Sequence, residues 1–217
     1  MKYKVAIIVD WENVKHLIFH NKYLLTSDTP KFSYNQYTEK LPDFFLAFLD
    51  SNEEPYRIFF YVTEPFTASI KDPLNRNINF AETQETKTYI KFLNKLGIQK
   101  LIALRKGRLV FRGWNFVNGE YKPILTQKKV DILIGLDIAH LAYKKIVDRI
   151  LLFSYDLDLQ PALKVARIEG IQIILPVFKE FQNCPRKIIN PELELHSDYK
   201  RIRSYHEICC NLLNKTK

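Results

Sequence analysis

Three stretches of this chain place carboxylates where chemistry could follow from them. Asp10 stands directly behind the apolar run KVAIIV, Asp131 opens the segment VDILIGLDIAHLAYKK, and Asp156 with Asp158 follows ILLF in SYDLD. Carboxylates brought together raise one another's pKa, so such a cluster calls for something positive among them. Hard divalent cations such as Mg2+ or Mn2+ answer that need with oxygen ligands. An ion held this way orients a phosphodiester, activates water and steadies the leaving oxygen. The chain as a whole is basic, with 33 Lys and Arg against 24 Asp and Glu and a net charge of +9. Lys and Arg that neutralise phosphates release condensed counterions, so a polyanionic partner is favoured. A membrane surface fits that charge as well, but an acidic site inside a basic surface suits a nucleic-acid backbone.

These acids need strands to position them. KVAIIV at 4–9, YRIFFYV at 56–62, IQKLIAL at 98–104, RILLFS at 149–154 and IQIILPV at 171–177 are short apolar runs of the kind that form buried strands. Helical patterns lie between them: one from Asn13, one around DFFLAFLD with Pro42 in its first turn, one over AETQETKTYIKFLNKLG closed by Gly97, one over 130–145 and one over LQPALKVARIEG. Residues 130–145 are apolar nearly all round and predict a buried helix. Strand and helix in alternation predict an α/β fold with a mostly parallel sheet covered on both faces. In such sheets function gathers at the carboxyl ends of the strands, where Asp10 and Asp156 stand.

Lys106-Gly107 and Asn118-Gly119 are turn signals, the second of the type I′ hairpin kind, and they predict a basic, aromatic β extension over about 105–126. Residues 21–35 read as a loop, and 179–217 as a basic extension ending in a helix, with Lys200, Arg201 and Arg203 on its solvated face. No segment is long and charge-free enough to span a bilayer, and the N-terminal apolar stretch lacks a small-residue cleavage site. The three cysteines, Cys184, Cys209 and Cys210, form no disulfide framework or metal knuckle, so a reducing cytoplasm is expected. At 217 residues one domain is expected, without membrane contact.

DWEN at 10–13, KKVD at 128–131 with Asp137 beyond it, and SYDLD at 154–158 together resemble the three signatures of the NYN domain, LabA-like branch, a PIN-like metal-dependent ribonuclease fold. The resemblance covers roughly residues 4–178, and the set of three is more specific than any one motif. It implies a PIN-like three-layer sandwich whose five-stranded sheet has the order 3-2-1-4-5, with the nuclease domain at 1–178. Carried over position by position, it makes Asp10, Asp131 and Asp156 ligands of Mg2+ or Mn2+, Asn13 a polar helper, and Asp158 a second or water-mediated ligand. Lys128 would meet a phosphate and Ser154 would complete the centre. The family often has glycine where this chain has Trp11 and Tyr155, and that bulk would narrow the site. RNA is the implied substrate, cut endonucleolytically.

Other readings stand beside these. Asp10, Ser154 and Asp156 could simply cap helices. Asp137 falls some 120° around the helix from Asp131, at about 3.6 residues per turn, and with Glu12 belongs to a second tier. His16 and His20 have the spacing of a zinc pair but no third ligand, so a packing role is expected. Arg105, Lys106, Arg108, Arg112, Trp114 and Tyr121 could form a stacking and phosphate-pairing platform, with Arg112 and Trp114 touching RNA, or Trp114 could pack the hairpin onto the core. SYDLD also resembles the nucleophile loop of haloacid-dehalogenase-like phosphatases, but no acidic pair follows it. A non-catalytic RNA-binding or partner-recruiting module keeps the same fold without cutting. The hairpin could also join copies into a homo-oligomer.

Overall fold

The computed structural model of the protein describes residues 2–20, 24, 34–183 and 189–214. Most of the expected loop over 21–35, and Cys184, lie outside them. The chain begins with β1 (Tyr3–Asp10), α1 (Trp11–His20), α2 (Tyr34–Leu46), β2 (Glu53–Glu64) and a small ribbon of β3 (Ser69–Lys71) and β4 (Asn77–Asn79). There follow α3 (Gln84–Gly97), β5 (Ile102–Val117), β6 (Glu120–Lys128), α4 (Val130–Tyr143), β7 (Arg149–Phe153) and α5 (Gln160–Ile168). β8 (Gln172–Phe178), α6 (Pro191–Leu195), β9 (Tyr199–Arg203) and α7 (Tyr205–Asn214) complete it.

The main sheet has seven strands in the order β6-β5-β2-β1-β7-β8-β9, two more than the sequence predicts. All run parallel except β6, which pairs antiparallel with β5. The hairpin adds one strand because β5 is unbroken over 16 residues and carries its partner into the same sheet. The Asn118-Gly119 turn forms as expected, with φ of 54° and 82° at the two positions. No turn forms at Lys106-Gly107. Glycine is needed there because a Cβ at 107 would stand 2.6 Å from Val130 Cγ2 and 2.8 Å from the Lys128 carbonyl oxygen. That close approach seats the start of α4 against β5.

β1 runs through the middle, and its Val5 to Val9 are fully buried. Alternation divides them: Val5, Ile7 and Val9 face α1, α2, α3 and α7, whereas Ala6 and Ile8 face α4, α5 and α6. Each fully buried Ile contributes about 1.5–3 kcal/mol. The first layer is held by an aromatic cluster in which Phe45 and Phe48 meet the edge of Phe153 at 4.8 and 5.0 Å between centroids. This packing explains why α2 begins at Tyr34 and keeps Pro42 inside it rather than in its first turn: Leu41, Phe44 and Phe45 form the buried stripe of one continuous helix.

Two expectations fail for one reason each. α4 is not buried all round: Ile132, Leu136 and Tyr143 are 67%, 62% and 62% exposed, because only Val130, Ile134, Ile138, Leu141 and Ala142 turn inward. The expected solvated helix around Lys200 is instead strand β9, and its alternation turns Arg201 inward, 4% exposed. Arg201 meets Glu53 through two hydrogen bonds, Nη1 to Oε2 at 2.6 Å and Nη2 to Oε1 at 2.9 Å. Arg149 Nη1 donates to the same carboxylate at 2.8 Å. Burial opposes ionisation of Glu53, but the Arg201, Asp50 backbone and Arg149 hydrogen bonds outweigh it and hold the carboxyl below its ordinary range. Among the described residues no helix is long and apolar enough to cross a membrane.

Candidate active site

β1 and β7 are neighbours, with Val9 opposite Phe153, so the residues that leave these strands meet at their carboxyl ends. Asp10 is the last residue of β1 and only 3% exposed. Its Oδ1 accepts the Asn13 backbone N–H at 3.3 Å, and its Oδ2 accepts the Ser154 hydroxyl at 3.2 Å. Asn13 thus meets Asp10 through its main chain, and Asp10 caps α1. The Ser154 oxygen in turn accepts the Asp156 backbone N–H at 3.3 Å. Asp156 Oδ1 accepts the Asp158 N–H at 3.0 Å, capping a short 3-10 turn over Leu157–Leu159. Capping and clustering are therefore compatible readings of these acids. Tyr155 packs against the core beside α4 and α5, and that burial raises its pKa.

Asp131 stands in the first turn of α4, where Lys129 turns in the left-handed region at φ 79° and Val130 is buried against Gly107. Burial pushes the Asp10 carboxyl up to about 6 against its two hydrogen bonds, with the charges of Asp131 and Asp156 adding to the rise. Asp131 is raised as well, by partial burial of its carboxyl first and then by the charges of Asp156 and Asp158. Asp10, Asp131 and Asp156 therefore lie within one another's field, and Asp158 within that of Asp131.

No protein-family model, curated protein or solved structure matches this chain. The chemistry of the site rests on its own geometry. Among the described residues no three His, Cys, Asp or Glu side chains stand close enough to hold a metal ion together. All the acids offer oxygen donors, and a positive charge among them would relieve the burial and like-charge repulsion that raise Asp10 to about 6. Asp10, Asp131 and Asp156 would be the residues to hold it.

The remaining candidates divide. Lys128 ends β6 beside α4 and is exposed, and Arg112 is exposed on the hairpin. Trp114 serves the hairpin's own packing: its Nε1 donates to the Lys71 carbonyl at 3.1 Å and its ring lies 5.6 Å from Phe111. Tyr121 packs on Phe116, centroids 4.9 Å apart, and Lys106 pairs with Glu64 at 3.5 Å. Asp137 is held by its own partners, its Oδ2 accepting the Tyr61 hydroxyl at 2.7 Å and Arg105 Nε at 2.8 Å, and Tyr61 is the residue opposite Asp10 in β2. No sequence signal marks that pairing, which joins α4 to β2 and β5. Burial first, then the Asp137 charge and hydrogen bond, raise the Tyr61 pKa and keep the phenol a donor. Tyr61→Phe should lower stability by about 1.5–3 kcal/mol in urea unfolding, the range for a hydrogen bond to a charged acceptor; an unchanged midpoint would dismiss this link.

Glu12, from the second tier, forms an ion pair with Lys15 and lies within reach of the Thr63 and Tyr89 hydroxyls, at 3.5 and 3.4 Å from its Oε1. Thr63 and Tyr89 were not among the sequence candidates. Thr63 stands at the carboxyl end of β2, next to β1, which is the one signal that could have found it. His16 is exposed on α1.

Proposed function

We propose that this protein is a divalent-metal-dependent endoribonuclease of the NYN, PIN-like kind. The observation that carries the reading is the Ser154 to Asp10 hydrogen bond across the carboxyl ends of β7 and β1, with Asp131 and Asp156 adding like charge to the same buried carboxylate. The parallel strands β5-β2-β1-β7-β8 also support it. Numbered along the chain they run 3-2-1-4-5, with β6 and β9 outside them.

Asp10, Asp131 and Asp156 hold Mg2+ or Mn2+ in this reading, with Asp158 behind them. When bound, the ion supplies positive charge at the phosphoryl oxygens and a more acidic water. Ser154 fixes the Asp10 carboxylate by its hydroxyl and, through the Asp156 N–H, ties the β7 loop to β1. Lys128 and Arg112 offer exposed cations to the RNA backbone near and along the hairpin. Asp10 must lose its proton to serve as a ligand, so at limiting metal activity should rise with pH as this raised carboxyl ionises.

A fluorescently labelled single-stranded RNA is the test. Cleavage is expected with Mg2+ or Mn2+, abolished by EDTA, and several-fold faster at pH 7 than at pH 5. Cleavage that survives EDTA would sink the reading. The open spacing of the acids favours one alternative, a module that binds RNA or recruits a partner without cutting. Salt-sensitive RNA binding without cleavage under either metal would select it.

A further inference from the structure

A groove of about 890 Å³ opens between the first turn of α1, α3 and the β5–β6 hairpin, with Glu12, two residues after Asp10, on its wall. Its floor carries the half-buried rings of Phe66, Phe80 and Tyr89. Phe66 and Phe80 meet edge to face at 5.3 Å, which holds both rings in place. The charges on its walls are three carboxylates, Glu12, Glu85 and Glu120, against two lysines, Lys15 and Lys122. A phosphate gains little from such walls. A neutral planar group with hydrogen-bond donors gains from both the rings and the acids.

Glu12 is placed to read that group. Lys15 orients its Oε2, whereas Oε1 has the Thr63 and Tyr89 hydroxyls only at 3.5 and 3.4 Å, well beyond the usual 2.5–3.0 Å of an O–H donor. A ligand with a short N–H donor can therefore take the place of either hydroxyl at little cost. Glu12 is also two residues from Asp10 in the first turn of α1, so the wall of the groove begins within one helical turn of that carboxylate.

Resting on the ribonuclease reading above, we infer that the groove is a base-binding subsite that takes one unstacked guanine of single-stranded RNA beside the scissile phosphate. Single-stranded RNA is read this way, by splayed bases stacked on aromatic rings and hydrogen-bonded on their Watson–Crick edges. Guanine is the base whose edge offers two adjacent donors, N1–H and the 2-amino group, to one carboxylate. The rings of Phe66, Phe80 and Tyr89 that line the groove supply its apolar surface, and Glu12 supplies the choice.

The test is fluorescence anisotropy on the full chain in EDTA, with labelled oligouridylates carrying one central guanosine, inosine, adenosine, cytidine or uridine. Guanosine should bind about tenfold or more tightly than the others, inosine included, as expected for loss of one partner of a bidentate contact. Glu12→Gln should bring guanosine down to the inosine level with its melting temperature near wild type. Equal affinity for all five oligonucleotides overturns the proposal, as does a guanosine preference that Glu12→Gln leaves intact. The guanosine–inosine comparison uses the wild-type chain, so it decides even if the variant folds poorly. Guanosine preference without metal-dependent cleavage keeps the subsite and removes the nuclease. Metal-dependent cleavage without base preference does the reverse.

Discussion

Asp10→Asn should lose at least about a thousandfold in metal-dependent RNA cleavage, equivalent to roughly 4 kcal/mol of barrier, while becoming more stable to urea at neutral pH. The two effects have one origin. Asp10 is buried at the end of β1 and receives only the Asn13 N–H and the Ser154 hydroxyl, so burial and the charges of Asp131 and Asp156 raise its carboxyl from 3.8 to about 6. Asparagine keeps the shape and an acceptor for the Asn13 N–H, but it carries no charge for a cation to meet.

The sign of the stability effect follows from that raised value. Below about pH 4 the acid is protonated in both folded and unfolded chains and costs the fold nothing by charge. As pH rises through about 6 the unfolded chain has already ionised and the folded chain must follow, so wild-type stability falls over this interval and then levels off. A shift of about two pKa units corresponds to about 3 kcal/mol, the largest gain expected for Asp10→Asn at pH 7 in EDTA. Urea titrations at pH 4, 5, 6 and 7 should show the two proteins diverging with pH. A variant that cleaves at the wild-type rate, or that is less stable than wild type at pH 7, would overturn this account of the site.

Glu53→Ala should destabilise the fold by about 3–5 kcal/mol, the range for removing one partner of a buried ion pair. Glu53 receives two hydrogen bonds from Arg201 and one from Arg149, and its side chain and that of Arg201 are 0% and 3% exposed. Its loss leaves the Arg201 charge buried, with the half-exposed Asp50 at 3.0 Å, the Phe48 carbonyl and the Tyr199 hydroxyl as remaining partners. Because the network depresses the Glu53 carboxyl below its ordinary 4.5, its contribution is present above that value and lost as pH falls through the folded pKa. The wild-type advantage over Glu53→Ala should therefore shrink in acid. A double variant with Arg201→Met should lose less than the sum of the two single changes, since the Arg201 charge that Glu53 balanced is then gone as well. Additive losses in chemical denaturation would show that the pair is not coupled as its geometry requires.

Much of the frame was legible because it is written locally. An apolar β-branched run that stops at an acid is a strand reaching the sheet edge, and this pattern found β1, β2, β7 and β8 together with Asp10 and Asp156. Asn118-Gly119 found the hairpin for the same reason, since two residues with φ above zero suffice to reverse the chain. Gly107 misled because a glycine needed for close approach and a glycine needed for a turn look alike in one dimension. Arg201 misled because KRIR satisfies a polar helix face and an alternating strand equally, and only a buried Glu53 148 residues away decides between them.

The acidic cluster divides along the same line. By itself the sequence determined which residues are acidic and that each follows or opens a regular element, because period and termination are properties of neighbours in the chain. Only the tertiary structure decided that β7 lies beside β1, that Ser154 reaches Asp10 across 144 residues, that Asp137 binds Tyr61 and Arg105, and that Glu12 faces an aromatic groove. Those are choices among strand neighbours and side-chain partners far apart in sequence, and they are made by which pairings bury the most apolar surface while leaving every inward charge a partner.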